Sequence, residues 1–111
     1  MIYAFIGSES LIDEMKIVAE KLWKKGHTVY LPLMDKSRLT AIEICKKNRY
    51  KIKKANEVWV FWNGHSIGTM IDFGMAFGLG KKVFVYRNGS QHFGTLVKDY
   101  QRECFSGKRR K

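Results

Sequence analysis

Residues 57–82, EVWVFWNGHSIGTMIDFGMAFGLGKK, decide how this chain folds. Val58-Trp59-Val60-Phe61-Trp62 is an apolar run rich in β-branched and aromatic residues, the composition of a strand buried on both faces. Asn63-Gly64 breaks it with a turn signal. Ser66, Gly68 and Thr69 then lead into a helix-length segment, Thr69 to Leu79, punctuated by Gly78-Leu79-Gly80. Either Ser66 or Thr69 can cap that helix, and Gly80 can end it. A strand, a small-residue loop and a helix N-terminus together make a place where backbone N–H groups and the helix dipole favour an anion. Asp72 stands one turn into the helix. It either points back at whatever the loop holds or complements the dipole of the first turn.

Upstream of this stretch, Ile2 to Ile6 is a second continuous apolar run and reads as the first strand. Gly7-Ser8-Glu9-Ser10 follows as a sharp turn, with Ser8 or Ser10 placed to cap the next helix. From Leu11 to Lys25 the apolar residues Leu11, Ile12, Met15, Val18, Ala19, Leu22 and Trp23 fall at helical spacing on one stripe, and Gly26 supplies the stop. Thr28 to Leu31 reads as a second strand ended by Pro32, and residues 33–39 as a polar loop. Thr40 can cap a helix from Ala41 to Ala55, with Glu43 as the partner in a capping box. Downstream, Lys82 to Tyr86 is a fourth strand, Asn88-Gly89 another turn, and Phe93 to Phe105 a last helix.

Strands alternating with helices imply right-handed βαβ units. The expected architecture is α/β: a three-layer, doubly wound, Rossmann-like or flavodoxin-like fold. Its sheet is mostly parallel, with four to five strands and helices on both faces. Residues 1–105 form one domain and residues 106–111 a basic tail. Ligands of such sheets sit at the carboxyl ends of the strands, where the strand order reverses. If the first and third strands are neighbours, the loop Gly7–Ser10 and the loop Gly64–Thr69 face one pocket. That pocket suits a small ligand bearing a phosphate or carboxylate.

The composition narrows the function classes. At 45% hydrophobic and 14% aromatic the chain is globular rather than disordered. No apolar run reaches the ~18 residues of a membrane span. The opening MIYAFIGSES lacks a basic segment and goes straight into a strand pattern, so no secretory leader is expected. Cys45 and Cys104 are far apart without a CxxC or a histidine pair, which suggests neither a metal site nor a disulfide framework. A cytoplasmic setting and no metal or organic cofactor are the expectations. The net charge of +11 invites a nucleic-acid partner. Lys46, Lys47, Arg49, Lys51, Lys53 and Lys54 crowd one helix, which reads better as a solvated outer face. Nucleic acid is therefore not the favoured partner.

The arrangement Gly7-Ser8 after the first strand, Ala55-Asn56-Glu57-Val58 opening the third, and Ser66-x-Gly68-Thr69-x-x-Asp72-x-Gly74-x-Ala76 resembles the nucleoside 2-deoxyribosyltransferase family. It looks closest to the branch that hydrolyses 2'-deoxynucleoside 5'-monophosphates. The resemblance spans residues 2–86. It implies N-glycosidic cleavage or deoxyribosyl transfer, with a carboxylate nucleophile forming a glycosyl-enzyme intermediate. Asp72 stands at the nucleophile's place, where the family has glutamate. Ser66 stands where the monophosphate hydrolases carry a phosphate-binding serine, and with Ser8 and Ser10 it argues for a 5'-phosphate. Gly7, Gly68 and Thr69 complete the two loops, the last two as backbone anion donors. Asn48 falls where the family has an aspartate and Ala4 where it has a tyrosine. Tyr3 is one residue away, on the opposite face of a strand. A homodimer with pockets completed by a neighbouring subunit is also implied, for which exposed Phe93, Tyr100 and Phe105 are candidates. A non-catalytic nucleotide-binding module of the same fold is the alternative.

Lesser candidates have plainer readings beside them. His65 can protonate a leaving base or simply lie on the surface. Trp59 and Trp62 can stack on a base, although core packing suits them better. Met70 and Met75 flank Asp72 and are expected to pack into the sheet. Glu9 sits in the first loop, whereas Asp13 and Glu14 read as solvated.

Overall fold

The computed structural model describes residues 1–32, 38–64, 66–87 and 92–105. Residues 33–37, His65, the Asn88-Gly89 turn, the Phe93 side chain and the 106–111 tail lie outside the described residues. The elements run β1 (Ile2–Gly7), α1 (Ile12–Lys24), β2 (Thr28–Tyr30), α2 (Ala41–Lys54), β3 (Glu57–Phe61), α3 (Ile67–Gly78), β4 (Lys82–Arg87) and α4 (His92–Phe105). Every strand pairing among them is parallel, in the order β2-β1-β3-β4. The strand order reverses between β1 and β3, which pair from Tyr3–Glu57 to Gly7–Phe61. The loops leaving these two strands therefore emerge side by side, as the site rule for doubly wound sheets requires.

Alternation along the strands divides the core in two. Ala4, Ile6, Val58, Val60 and Val83 face α2, α3 and α4, where Ile52, Phe73, Ala76 and Val97 close over them. Tyr3, Phe5 and Phe61 face α1, which contributes Met15, Val18 and Ala19. Trp62 is buried in the first layer, whereas Trp59 is half-buried on the α1 side. There it packs among Tyr3, Phe5, Phe84 and Tyr86. The fold is thus three-layered, with three helices on one face and one on the other.

Local chemistry sets the boundaries. Thr40 and Glu43 form the reciprocal capping box: Glu43 N donates to Thr40 Oγ1 at 3.2 Å, and Thr40 N donates to Glu43 Oε1 at 2.8 Å. Gly26 and Gly80, at φ +91° and +67°, end α1 and α3 in the left-handed conformation that only glycine adopts cheaply. Gly7 is needed for a different reason. A Cβ there would sit 2.8 Å from the Phe61 carbonyl oxygen and 3.1 Å from Met15 Cε, because α1 and β3 close directly on the end of β1.

Three expectations change. Neither Ser8 nor Ser10 caps a helix with its side chain, because a short 3-10 turn, Glu9–Leu11, intervenes and the two hydroxyls bond to each other at 2.6 Å. α3 begins two residues before Thr69, since Ser66 rather than Thr69 is the cap. Met70 points to solvent instead of into the sheet, because buried Thr69, Asp72, Phe73 and Ala76 define the inward stripe and Met70 falls off it. Met75 does pack inward.

Candidate active site

A cavity of about 260 Å³ opens at the carboxyl ends of β1 and β3. Gly7, Ser8 and Glu9 line it from the first loop, Pro32 from the end of β2, and Ile44, Cys45 and Asn48 from α2. Ser66, Gly68, Ile71 and Asp72 line it from the third loop and α3. A larger hollow lies at the opposite, amino ends of the strands beside Met1, Asn56 and Lys81. That is the wrong edge for a ligand in this kind of sheet.

Asp72 points inward from the first turns of α3 and retains only 8% of its exposure. Burial lifts its carboxyl to about 6, while a hydrogen bond from the Asn48 amide and the charge of Lys51 both pull it back down. Lys51 is the one member of the basic run that turns inward: its Nζ donates to the Leu31 carbonyl at 3.0 Å, and burial lowers its pKa. Asn48 Oδ1 is buried and has no hydrogen-bond partner among the described residues. At neutral pH the carboxylate is mostly ionised, yet holds a proton more readily than a surface aspartate.

The hydroxyls that share the cavity with it are oriented. Ser66 Oγ accepts from Thr69 N at 3.2 Å and from Thr69 Oγ1 at 2.9 Å. Both of its lone pairs are engaged, so the Ser66 hydroxyl has only its proton to offer the cavity. Across the site, Asn63 Nδ2 donates to Ser8 Oγ at 2.7 Å and to Ser10 Oγ at 3.2 Å. With the two serines bonded to one another, the pair also keeps one hydroxyl proton to donate. Donor protons, the N-terminus of a 12-residue helix and the Asp72 carboxylate thus meet in the lining of one cavity.

Of the residues singled out from the sequence, Gly7, Ser8, Asn48, Ser66, Gly68 and Asp72 line the cavity. Ser10 and Thr69 stand behind Ser8 and Ser66 and orient them. Glu9 is on the rim, and Tyr3 is buried against α1, away from it. The sequence reading missed Asn63, which ties the two loops together, and Lys51. It also missed the walls Pro32, Cys45 and Ile71. Asn63 carried a signal, the turn dipeptide, but nothing that named Ser8 as its partner 55 residues away. Among the described residues no three His, Cys, Asp or Glu side chains cluster to hold a metal ion.

The chain superposes on the Clostridium botulinum CMP N-glycosidase BcmB with a TM-score of 0.61 and 20% identity, over 88% of this chain and 82% of that one. No curated protein matches it. Residues 5–104, nearly the whole length, match the model of the nucleoside 2-deoxyribosyltransferase family, and the chain belongs to that family.

Proposed function

We propose that this protein cleaves the N-glycosidic bond of a nucleoside 5'-monophosphate, with Asp72 as the nucleophile. The observation that carries the reading is that a buried carboxylate lines the same cavity as Ser66 and Ser8, whose hydroxyls are held by Thr69 and Ser10. The hydroxyls and the N–H groups of Gly68 and Thr69 would take the 5'-phosphate, placing the anomeric carbon over Asp72. A carboxylate oxygen bonds to that carbon as the C–N bond breaks, and the electron pair leaves with the base, which takes a proton from water at the cavity mouth. Water then attacks the glycosyl ester, giving the sugar phosphate and restoring the carboxylate. Asn48 donates a hydrogen bond to Asp72 but cannot act as an acid or base; its unpartnered Oδ1 lacks a donor of the kind a sugar hydroxyl supplies. A deoxyribosyl transfer differs only in the second acceptor, a base in place of water. The solved relative acts on CMP, so cytidine and deoxycytidine monophosphates are the first substrates to try.

The decisive assay incubates the protein with nucleoside 5'-monophosphates and the matching nucleosides and measures released base. Release that requires the 5'-phosphate and disappears in Asp72→Asn is the expected result. A second reading is favoured by the small exposed fraction of Asp72 and its short reach: the pocket captures a nucleotide without turning it over. Saturable binding by calorimetry with no base released would select it. Cys45 and Cys104 are both free thiols, and we place the protein in the reducing cytoplasm, working as a homodimer.

A further inference from the structure

The basic run on α2 is not a uniform charged face. Tyr50 stands in the middle of it, 59% exposed and part of neither core cluster. Lys46 and Lys47 lie one turn before that ring and Lys54 one turn after it, on the same stripe of the helix. Lys54 Nζ is 5.7 Å from the ring centroid, which puts a cation beside anything that stacks there. Among the described residues no basic side chain of α2 forms a salt bridge. The one acid of the helix, Glu43, is engaged in the capping box.

A hollow beside the ring is a separate observation. It measures about 380 Å³ and is lined by Tyr30 from β2 and by Lys46, Lys47, Tyr50 and Lys51 from α2. Lys51 turns its Nζ to the Leu31 carbonyl at 3.0 Å, leaving its apolar stem as the lining. Tyr30 packs against the core, so one of the two rings is fixed in place. No residue lines both this hollow and the Asp72 cavity. Two aromatic rings among unpaired cations suit a ligand that is flat and aromatic in one part and anionic in the next.

We propose that the surface around Tyr50 binds single-stranded nucleic acid, with bases stacked on the tyrosine rings and phosphates held by the lysines. A free nucleotide satisfies little of it. Lys46 and Lys54 are about 12 Å apart along the helix axis, farther than one phosphate can bridge, whereas a polymer brings a phosphate to each. A single strand is favoured over a duplex, because stacking on a side chain needs a base released from its pair. The net charge of +11 draws any polyanion to the molecule; the rings select one with accessible bases. The charges alone read as a solvated face, and what changes that reading is the exposed ring among them. The surface does not depend on the chemistry assigned to Asp72.

The test is fluorescence anisotropy of the full chain with 3'-labelled oligouridylate and oligothymidylate of about twelve residues, both ending in a 5'-hydroxyl so that the cavity has no terminal phosphate to take. Three to five phosphates neutralised predict a dissociation constant that rises about 20- to 130-fold between 50 and 200 mM salt. The double variant Lys46→Ala, Lys54→Ala should lower the slope of log Kd against log salt by about 1.4. Tyr50→Ala should weaken binding about 5- to 150-fold with that slope unchanged, and Tyr50→Phe should bind as the wild type does. All three positions are exposed, so the variants should keep the wild-type circular dichroism and melting temperature. Asp72→Asn should bind as tightly as the wild type, and the tighter of the two oligonucleotides shows which sugar the surface prefers. No binding at 50 mM salt would overturn the proposal. So would an unchanged affinity in Tyr50→Ala, or a duplex of the same length binding as tightly as the single strand. Co-sedimentation with phosphatidylserine vesicles, lost in the double lysine variant and without binding of either oligonucleotide, would overturn it too and assign the surface to a membrane.

Discussion

At the scale of single residues, Asp72 is costly in the folded state. A carboxyl whose pKa rises from 3.8 to about 6 on folding holds its proton more tightly when folded. Stability therefore falls as pH climbs through that window, by about 3 kcal/mol in all. Asp72→Asn removes the term while keeping a group that can bond Asn48. Urea melts should show the variant more stable than wild type by about 1–3 kcal/mol at pH 8, with the gain gone at pH 3.5. Base release by the wild type should rise with pH through about 6, as the nucleophile ionises. Ser66→Ala should cost about 1 kcal/mol through the lost cap. It should also raise KM for phosphorylated substrates more than for free nucleosides. The residues that carry these predictions were legible because each stands in a local pattern: a cap, a turn, a carboxylate one turn into a helix. Lys51 was not, since a run of six basic residues in sequence gives no sign of which one turns inward. Asn63 was not either, because its role is a contact between distant loops.

Among elements, β1 and α3 do the positioning. β1 delivers Ser8 to the site only because Gly7 lets the Phe61 carbonyl and Met15 close in. Gly7→Ala should destabilise the fold by about 1–3 kcal/mol, the usual cost of overpacking a tight site, read as a lower urea midpoint with unchanged slope. Thr40→Ala breaks the capping box and should cost about 1 kcal/mol without altering ligand affinity, since Thr40 lies outside the cavity. Apolar runs and caps made all four described strands and all four described helices readable from the sequence, with ends off by a residue or two. The 3-10 turn at Glu9–Leu11 was not readable, because the same serines that start a helix also suit a tighter turn. The outward turn of Met70 was missed for a related reason. In a helix that is apolar nearly all round, hydrophobicity cannot say which side faces in.

For the whole molecule, topology is what turns separate loops into a site. The pairing of β1 with β3 was a condition in the sequence reading, and the order β2-β1-β3-β4 satisfies it. For a chain of net charge +11, the cavity lining includes no lysine or arginine among the described residues. Nucleotide affinity measured from 50 to 200 mM salt should therefore change by less than about tenfold, whereas a protein neutralising six to ten phosphates loses ~10³–10⁵ over the same range. A steep salt dependence would move the ligand onto the basic surface. Covalent catalysis by Asp72 is tested most directly by stereochemistry: hydrolysis of a β-nucleoside monophosphate in aqueous methanol, with proton NMR of the methyl glycoside formed. Two displacements at the anomeric carbon predict the β-glycoside, with retention. The α-glycoside, formed by direct attack of solvent on the opposite face, would contradict a nucleophilic role for Asp72.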